Sequence, residues 1–174
     1  ARFLSMGKAE RADQNFGRIS DLSVRMARII KNLRAFARQE SEPASRVDLC
    51  GVVRAAVEVS ESRLCNEGVS VDVQLPVTPI WVNGGEVRLQ QVVINLISNA
   101  IDAMSRSAEK SITLTVSDGL QPSVTVRDKG PGIEDPEKIF EPFYSTKSVG
   151  EGEGTGLGLS ISYGLVQSFG GNIS

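Results

Sequence analysis

The chain has 174 residues, 40% apolar and 23% charged, enough for one domain plus a remainder and for a sizeable buried core. Its 19 basic and 21 acidic residues leave a net charge of −2, so no global positive field draws it to nucleic acid, and no nucleic-acid partner is expected. The absence of histidine excludes Ser-His-Asp and Cys-His nucleophile systems, His-based zinc sites and any histidine general base.

Ala1 to Lys8 reads as the tail of a helix and a turn, with no apolar run that would make a signal peptide. The missing initiator Met leads us to expect a piece of a longer chain. From about Ala9 to Gln39 there is no Pro, and Ile19, Leu22, Met26, Ile29, Leu33 and Phe36 follow a 3-4 spacing. That heptad seam predicts a helix packed in a bundle or coiled coil. Six basic residues and one acidic between Arg18 and Arg38 give this segment +5 and leave −7 for the rest of the chain. Such a face is either simply solvated or presented to an acidic protein. Pro43 and its polar neighbours in Glu40 to Ser45 break the helix, so a linker is placed there and a second domain begins near Arg46.

Beyond the linker the pattern predicts a short strand near Val47 to Leu49, a helix over Gly51 to Asn66, and strands at Val69 to Leu75 and Ile80 to Val82. A helix over Gly85 to Met104, strands at Ser111 to Ser117 and Ser123 to Asp128, and a helix over Gly156 to Phe169 follow. Strands and helices mixed in this order imply an α/β two-layer sandwich. The two cysteines, Cys50 and Cys65, are too few for a Cys-only zinc site, and on one helix they stand roughly 22 Å apart. A reducing setting fits them. Gly154 to Ser174 is long and uncharged, but its six glycines with Ser, Gln and Asn argue against a membrane span.

Four segments carry candidate chemistry. On the helix of residues 86–104, Arg88, Gln91, Asn95, Asn99 and Asp102 recur every three or four positions and so share one face. Solvated faces usually carry Lys and Glu. Asn is a poor helix former whose carbonyl is a hard oxygen ligand, suited to Mg²⁺ held jointly with phosphates. Asp128-Lys-Gly-Pro-Gly-Ile133 puts a carboxylate at a strand end, where it can accept from an exocyclic amine such as that of adenine. Gly130 and Gly132 let backbone approach a flat ring. In Ile139-Phe-Glu-Pro-Phe-Tyr-Ser-Thr-Lys147, Phe140 and Phe143 can anchor a movable segment and Lys147 can reach a phosphate. Gly152-Glu-Gly-Thr-Gly-Leu-Gly-Leu-Ser160 opens onto a helix and offers free backbone N–H groups to phosphate oxygens, without being a Walker A or dinucleotide fingerprint.

Taken in order, Asn95-Leu-Ile-Ser-Asn-Ala-Ile-Asp-Ala103, Asp128-Lys-Gly-Pro-Gly132, Phe140-Glu-Pro-Phe143 and Gly154-Thr-Gly-Leu-Gly158 closely resemble the N, first-glycine, F and second-glycine boxes of sensor histidine kinases. The resemblance implies that residues 46–174 form the ATP-binding catalytic domain with the Bergerat fold shared with gyrase, mismatch-repair and chaperone ATPases. It makes Asn99 the Mg²⁺ ligand, Asn95 its neighbour at the phosphates with a catalytic role, and Asp128 the adenine reader. It also implies that Gly130 and Gly132 shape the base pocket and that Gly154, Gly156 and Gly158 close the phosphate side. Lys147 becomes a catalytic lid lysine, and Arg88 an accessory nucleotide contact.

Residues 1–40 resemble the second helix of a dimerisation and phosphoacceptor domain, which implies a homodimer and a response regulator receiver domain as partners. Ala1-Arg-Phe-Leu4 and Leu33-Arg-Ala-Phe-Ala-Arg38 look most like the dicarboxylate-transport members, membrane sensors of which this would be a cytoplasmic portion. Two departures stand out: the phosphoacceptor His and the strands that usually follow Gly-Gly-Asn-Ile-Ser are not in the chain, so autophosphorylation within it is not expected. An ATPase of the same fold that uses hydrolysis to drive a conformational cycle is the alternative, with a nucleotide-binding interaction module as a third reading.

Overall fold

The computed structural model describes residues 15–17, 19, 20, 23, 26, 44–144 and 156–174. The chain divides into two compact units, residues 1–40 and 41–174. In the first, every described residue is helical and exposed, including the apolar Phe16, Ile19 and Met26. Leu22, Ile29, Leu33 and Phe36 of the expected seam, and most of the expected linker, lie outside the described residues.

The second unit runs β1 (Ser45–Asp48), α1 (Leu49–Asn66), β2 (Ser70–Gln74), β3 (Trp81–Gly84), α2 (Glu86–Ala103), β4 (Ser111–Ser117), β5 (Ser123–Asp128) and α3 (Gly158–Ser168). β1 pairs antiparallel with β3, and a three-stranded sheet in the order β2-β4-β5 joins a parallel pair to an antiparallel one. The parallel pair needs a crossover, and the segment carrying β3 and α2 supplies it. Alternation along β4 sends Ile112, Leu114 and Val116 into the core and the threonines between them away from it. α1 returns Leu49, Val52, Val53, Ala56 and Leu64 at helical spacing, and α2 contributes Val93, Ile97, Ala100 and Ile101 to the same core. Helices on one side of a sheet make the α/β two-layer sandwich expected from the element order.

α1 begins two residues earlier than its sequence pattern indicates. Asp48 caps it: Oδ1 accepts from the Cys50 N–H at 3.0 Å and Oδ2 from the Gly51 N–H at 3.2 Å. Leu49 and Cys50 are therefore helical and buried, with Gly51 inside the first turn. Cys50 is buried and Cys65 exposed near the other end of the same helix. β4 and β5 match their expected limits, whereas α3 starts at Gly158 rather than Gly156. No helix among the described residues is long and apolar enough to cross a membrane.

Candidate functional site

The polar stripe of α2 lies between two glycine turns. Near its middle, half-buried Asn95 donates from Nδ2 to Ser162 Oγ on α3 at 2.9 Å. Ser162 is almost wholly buried, and Gly158 lies so close that a Cβ there would come within 2.6 Å of Asn95 Oδ1. Only glycine lets the start of α3 pack on this amide. The N-cap residue of α3, Leu157, makes no side-chain cap hydrogen bond, and the start of such a helix presents N–H groups and a positive end suited to an anion.

At the C-terminal end of α2, the turn after β5 closes against the helix. Asp128 Oδ1 accepts from the Gly130 N–H at 2.7 Å, and among the described residues no hydrogen bond uses Oδ2. The Lys129 N–H reaches Met104 Sδ at 3.4 Å. A Cβ on Gly130 would lie 2.7 Å from Asp128 Oδ1 and 3.1 Å from Ala103 Cβ, so the turn is a cradle that only glycine leaves open. Gly132 has φ +86°, a conformation glycine adopts without strain. A hollow of about 430 Å³ opens beside this turn, lined by Ala103, Ser105, Arg106, Lys129, Gly130 and Pro131. The larger hollow of about 620 Å³ lies away from this chemistry, between α1 and β2, with Val57, Leu64, Val71 and Val73 among its lining.

From Asn95 to Ala103 the helix rises about 12 Å, a span comparable to an extended nucleoside triphosphate. Asn99, half-buried, sits one turn from each end on the same face. Its amide oxygen and that of Asn95 are hard donors fitting a divalent cation shared with phosphates, and the glycine cradle at Asp128 fits a planar base. Among the described residues no cluster of three His, Cys, Asp or Glu could form a metal cage by itself.

The structure brings Asn95, Asn99, Asp128, Gly130 and Gly158 to one side of α2. Gly156 has φ +65°, and a Cβ there would fall 2.6 Å from the Phe143 carbonyl carbon. The Phe143 N–H donates to the Gly156 carbonyl at 2.8 Å, and Phe143 itself takes φ +69°. This clasp joins Phe143 to Gly156; Lys147 and Gly154, between them in sequence, lie outside the described residues. Phe140 packs on Tyr163 of α3 with ring centroids 5.2 Å apart, while the Phe143 ring is exposed. Arg88, two turns before Asn95, is buried with its guanidinium 5.6 Å from the Phe169 ring.

Local spacing missed three residues. Arg63 of α1 donates through Nη1 to Ser98 Oγ and through Nη2 to Asp102 Oδ1, the latter at 2.5 Å, so Asp102 is engaged by a neighbouring helix. Ser162 is the third. Their partners are 35 to 67 positions away, and only the fold brings them together.

The family of histidine kinase-, DNA gyrase B- and HSP90-like ATPases matches residues 84–174. The chain is 35% identical over 148 residues to the C4-dicarboxylate transport sensor protein DctB of Pseudomonas aeruginosa, covering 83% of this chain and 24% of that protein. It is 33% identical to DctB of Rhizobium meliloti over 98% of this chain and 27% of that one. The chain thus spans about a quarter of the length of these relatives. Among solved structures it resembles the catalytic domain of histidine kinase ThkA, with a TM-score of 0.62 and 30% identity over 74% of this chain and 82% of that domain. Asn95, Asn99 and the turns at Asp128 and Gly158 all fall in the matched region, and the chain belongs to the family of histidine kinase-, DNA gyrase B- and HSP90-like ATPases.

Proposed function

We propose that the chain binds Mg-ATP along α2 and donates the terminal phosphoryl group to a histidine on another helix, feeding a response regulator in two-component signalling. The observation that carries this reading is the placement of Asn95 and Gly158 at one end of a 12 Å stretch of helix and of Asp128 and Gly130 at the other. Asp128 Oδ2 accepts from the base amine, and the start of α3 receives the phosphates. Asn99, with Asn95 beside it, holds Mg²⁺, which neutralises charge on the phosphate oxygens. Gly132 shapes the base side, Gly154 and Gly156 the phosphate side, Lys147 approaches the terminal phosphate, and Arg88 is an accessory nucleotide contact. Catalysis here is mainly positioning and electrostatic stabilisation.

Residues 46–174 supply this catalytic part and residues 1–40 part of a dimerisation region, within the cytoplasmic portion of a membrane sensor. In the hydrolysing alternative a side chain near the terminal phosphate must take a proton from water. The amide of Asn95 cannot serve as a general base near neutral pH, and its Nδ2 is already donated to Ser162.

Mixing the chain with a fragment bearing the phosphoacceptor helix and labelled ATP should give acid-labile, base-stable phosphate on that fragment. Both Asn99→Ala and Asp128→Ala should bind ATP about 10-fold to 100-fold more weakly and lose this product. Steady multiple-turnover release of inorganic phosphate by the chain, abolished by Asn99→Ala, would establish the hydrolysing alternative instead.

A further inference from the structure

α3 carries three serines, and two of them do what serines in helices ordinarily do: Ser160 Oγ donates back to the Leu157 carbonyl at 3.0 Å and Ser168 Oγ to the Leu165 carbonyl at 2.7 Å. Ser162 differs. It is the most buried of the three, 1% exposed, and among the described residues its hydroxyl meets no carbonyl of its own helix but the Asn95 side chain of α2, at 2.9 Å. Alanine would fill a buried position between two helices without bringing a polar atom that has to be satisfied. The oxygen of Ser162 is therefore explained by Asn95 and not by packing.

An asparagine amide has two unlike ends, and only the carbonyl oxygen ligates a cation. Turning the amide over exchanges the ends with almost no change of shape, so steric fit alone selects neither. Gly158 does not decide between them: a Cβ there would come within 2.6 Å of Asn95 Oδ1 and 2.8 Å of Nδ2. Ser162 does. Its oxygen receives Nδ2, and among the described residues no hydrogen bond uses Oδ1. Ser162 lies four residues beyond Gly158, on the same face of α3, so the bond forms one turn inside the helix end that we assign to the phosphates.

We propose that Ser162 is a positioning residue for the cation: by accepting Nδ2 it keeps the Asn95 carbonyl oxygen free for the Mg²⁺ that accompanies the phosphates. An outer partner that fixes the orientation of a ligating group contributes to metal affinity without touching the metal. This rests on the nucleotide reading of the site and adds a residue outside the asparagine and glycine motifs that point to it.

The test is calorimetric titration of the whole chain with adenosine and, separately, with ATP at a series of Mg²⁺ concentrations. Wild-type binding of Mg-ATP, lost in Asp128→Ala, establishes the nucleotide reading; no binding by the wild type would overturn that reading and this proposal together. Given wild-type binding, Ser162→Ala should weaken Mg-ATP about fivefold, raise the Mg²⁺ concentration needed for half-maximal binding, and change adenosine less than about twofold. Adding Ser162→Ala to Asn95→Asp should cost less than about twofold relative to Asn95→Asp alone, because a carboxylate presents oxygen at both ends and needs no orienting. A packing role gives the opposite pattern: adenosine falls together with ATP, or the full loss recurs beside Asn95→Asp. Either result, or unchanged Mg-ATP binding in Ser162→Ala, would overturn the proposal. Should Ser162→Ala fail to fold, Ser162→Cys, whose sulfur is a weak acceptor, takes its place with the same expected outcomes.

Discussion

Gly130 shows how tightly single atoms control the base end of the site. Its missing Cβ is what lets Asp128 fold Oδ1 back onto the turn, because an added methyl would intrude to 2.7 Å on that oxygen and 3.1 Å on Ala103. Gly130→Ala should therefore swing the carboxylate out of register and weaken adenosine and ATP alike by about 10-fold, with thermal unfolding shifted much less. Equal affinity in the variant, measured by calorimetry, would mean that Asp128 is not the base acceptor. The glycines and the two asparagines were legible from sequence because residue type alone betrays them: glycine permits a close backbone approach, and amides on a helix face are out of place. Ser162 and Arg63 were not, since a serine on a helix and an arginine on a polar face look ordinary until their partners arrive from another element.

Among the elements, α1 illustrates how a helix boundary can be misread. Gly51 looks like a start signal because glycine disfavours a helix interior, yet the Asp48 carboxylate satisfies two N–H groups at the first turn and outweighs it. Asp48→Ala should cost about 1 kcal/mol in chemical denaturation, and a variant as stable as wild type would show that the cap is dispensable. β4 and β5 were read correctly because alternation with period two is unambiguous over six or seven residues. α2 was read to within a residue at each end, its apolar and polar faces both being complete. The pairing of β2 parallel to β4 was beyond local reading, for no spacing in either segment encodes which neighbour it takes.

For the molecule as a whole, the division at residue 40 separates a unit whose described residues are helical, with Phe16, Ile19 and Met26 exposed, from a unit that buries its own core. Apolar side chains at heptad spacing left in water favour pairing of two such stretches. Sedimentation equilibrium of the chain should show a concentration-dependent dimer, and deletion of residues 1–40 should leave a monomer that still binds ATP. A deletion variant that remains dimeric would place the contact in the second unit. If, as proposed, the phosphoryl group goes to a histidine on another helix, the purified chain should also release phosphate about 10²-fold to 10⁴-fold more slowly than an ATPase with a general base.

Trp81, the chain's single tryptophan, stands in β3 with the Arg46 guanidinium 4.6 Å from its ring. Arg46 belongs to β1, which pairs antiparallel with β3. The molecule thus carries one tryptophan, under a cation and half open to solvent, whose emission can be excited apart from that of its two tyrosines. Its emission should shift to the red as β1 peels from β3 in denaturant. Saturating Mg-ATP should leave that colour unchanged, so optical unfolding curves of site variants can be compared directly, with ligand binding followed by heat or by a fluorescent nucleotide instead.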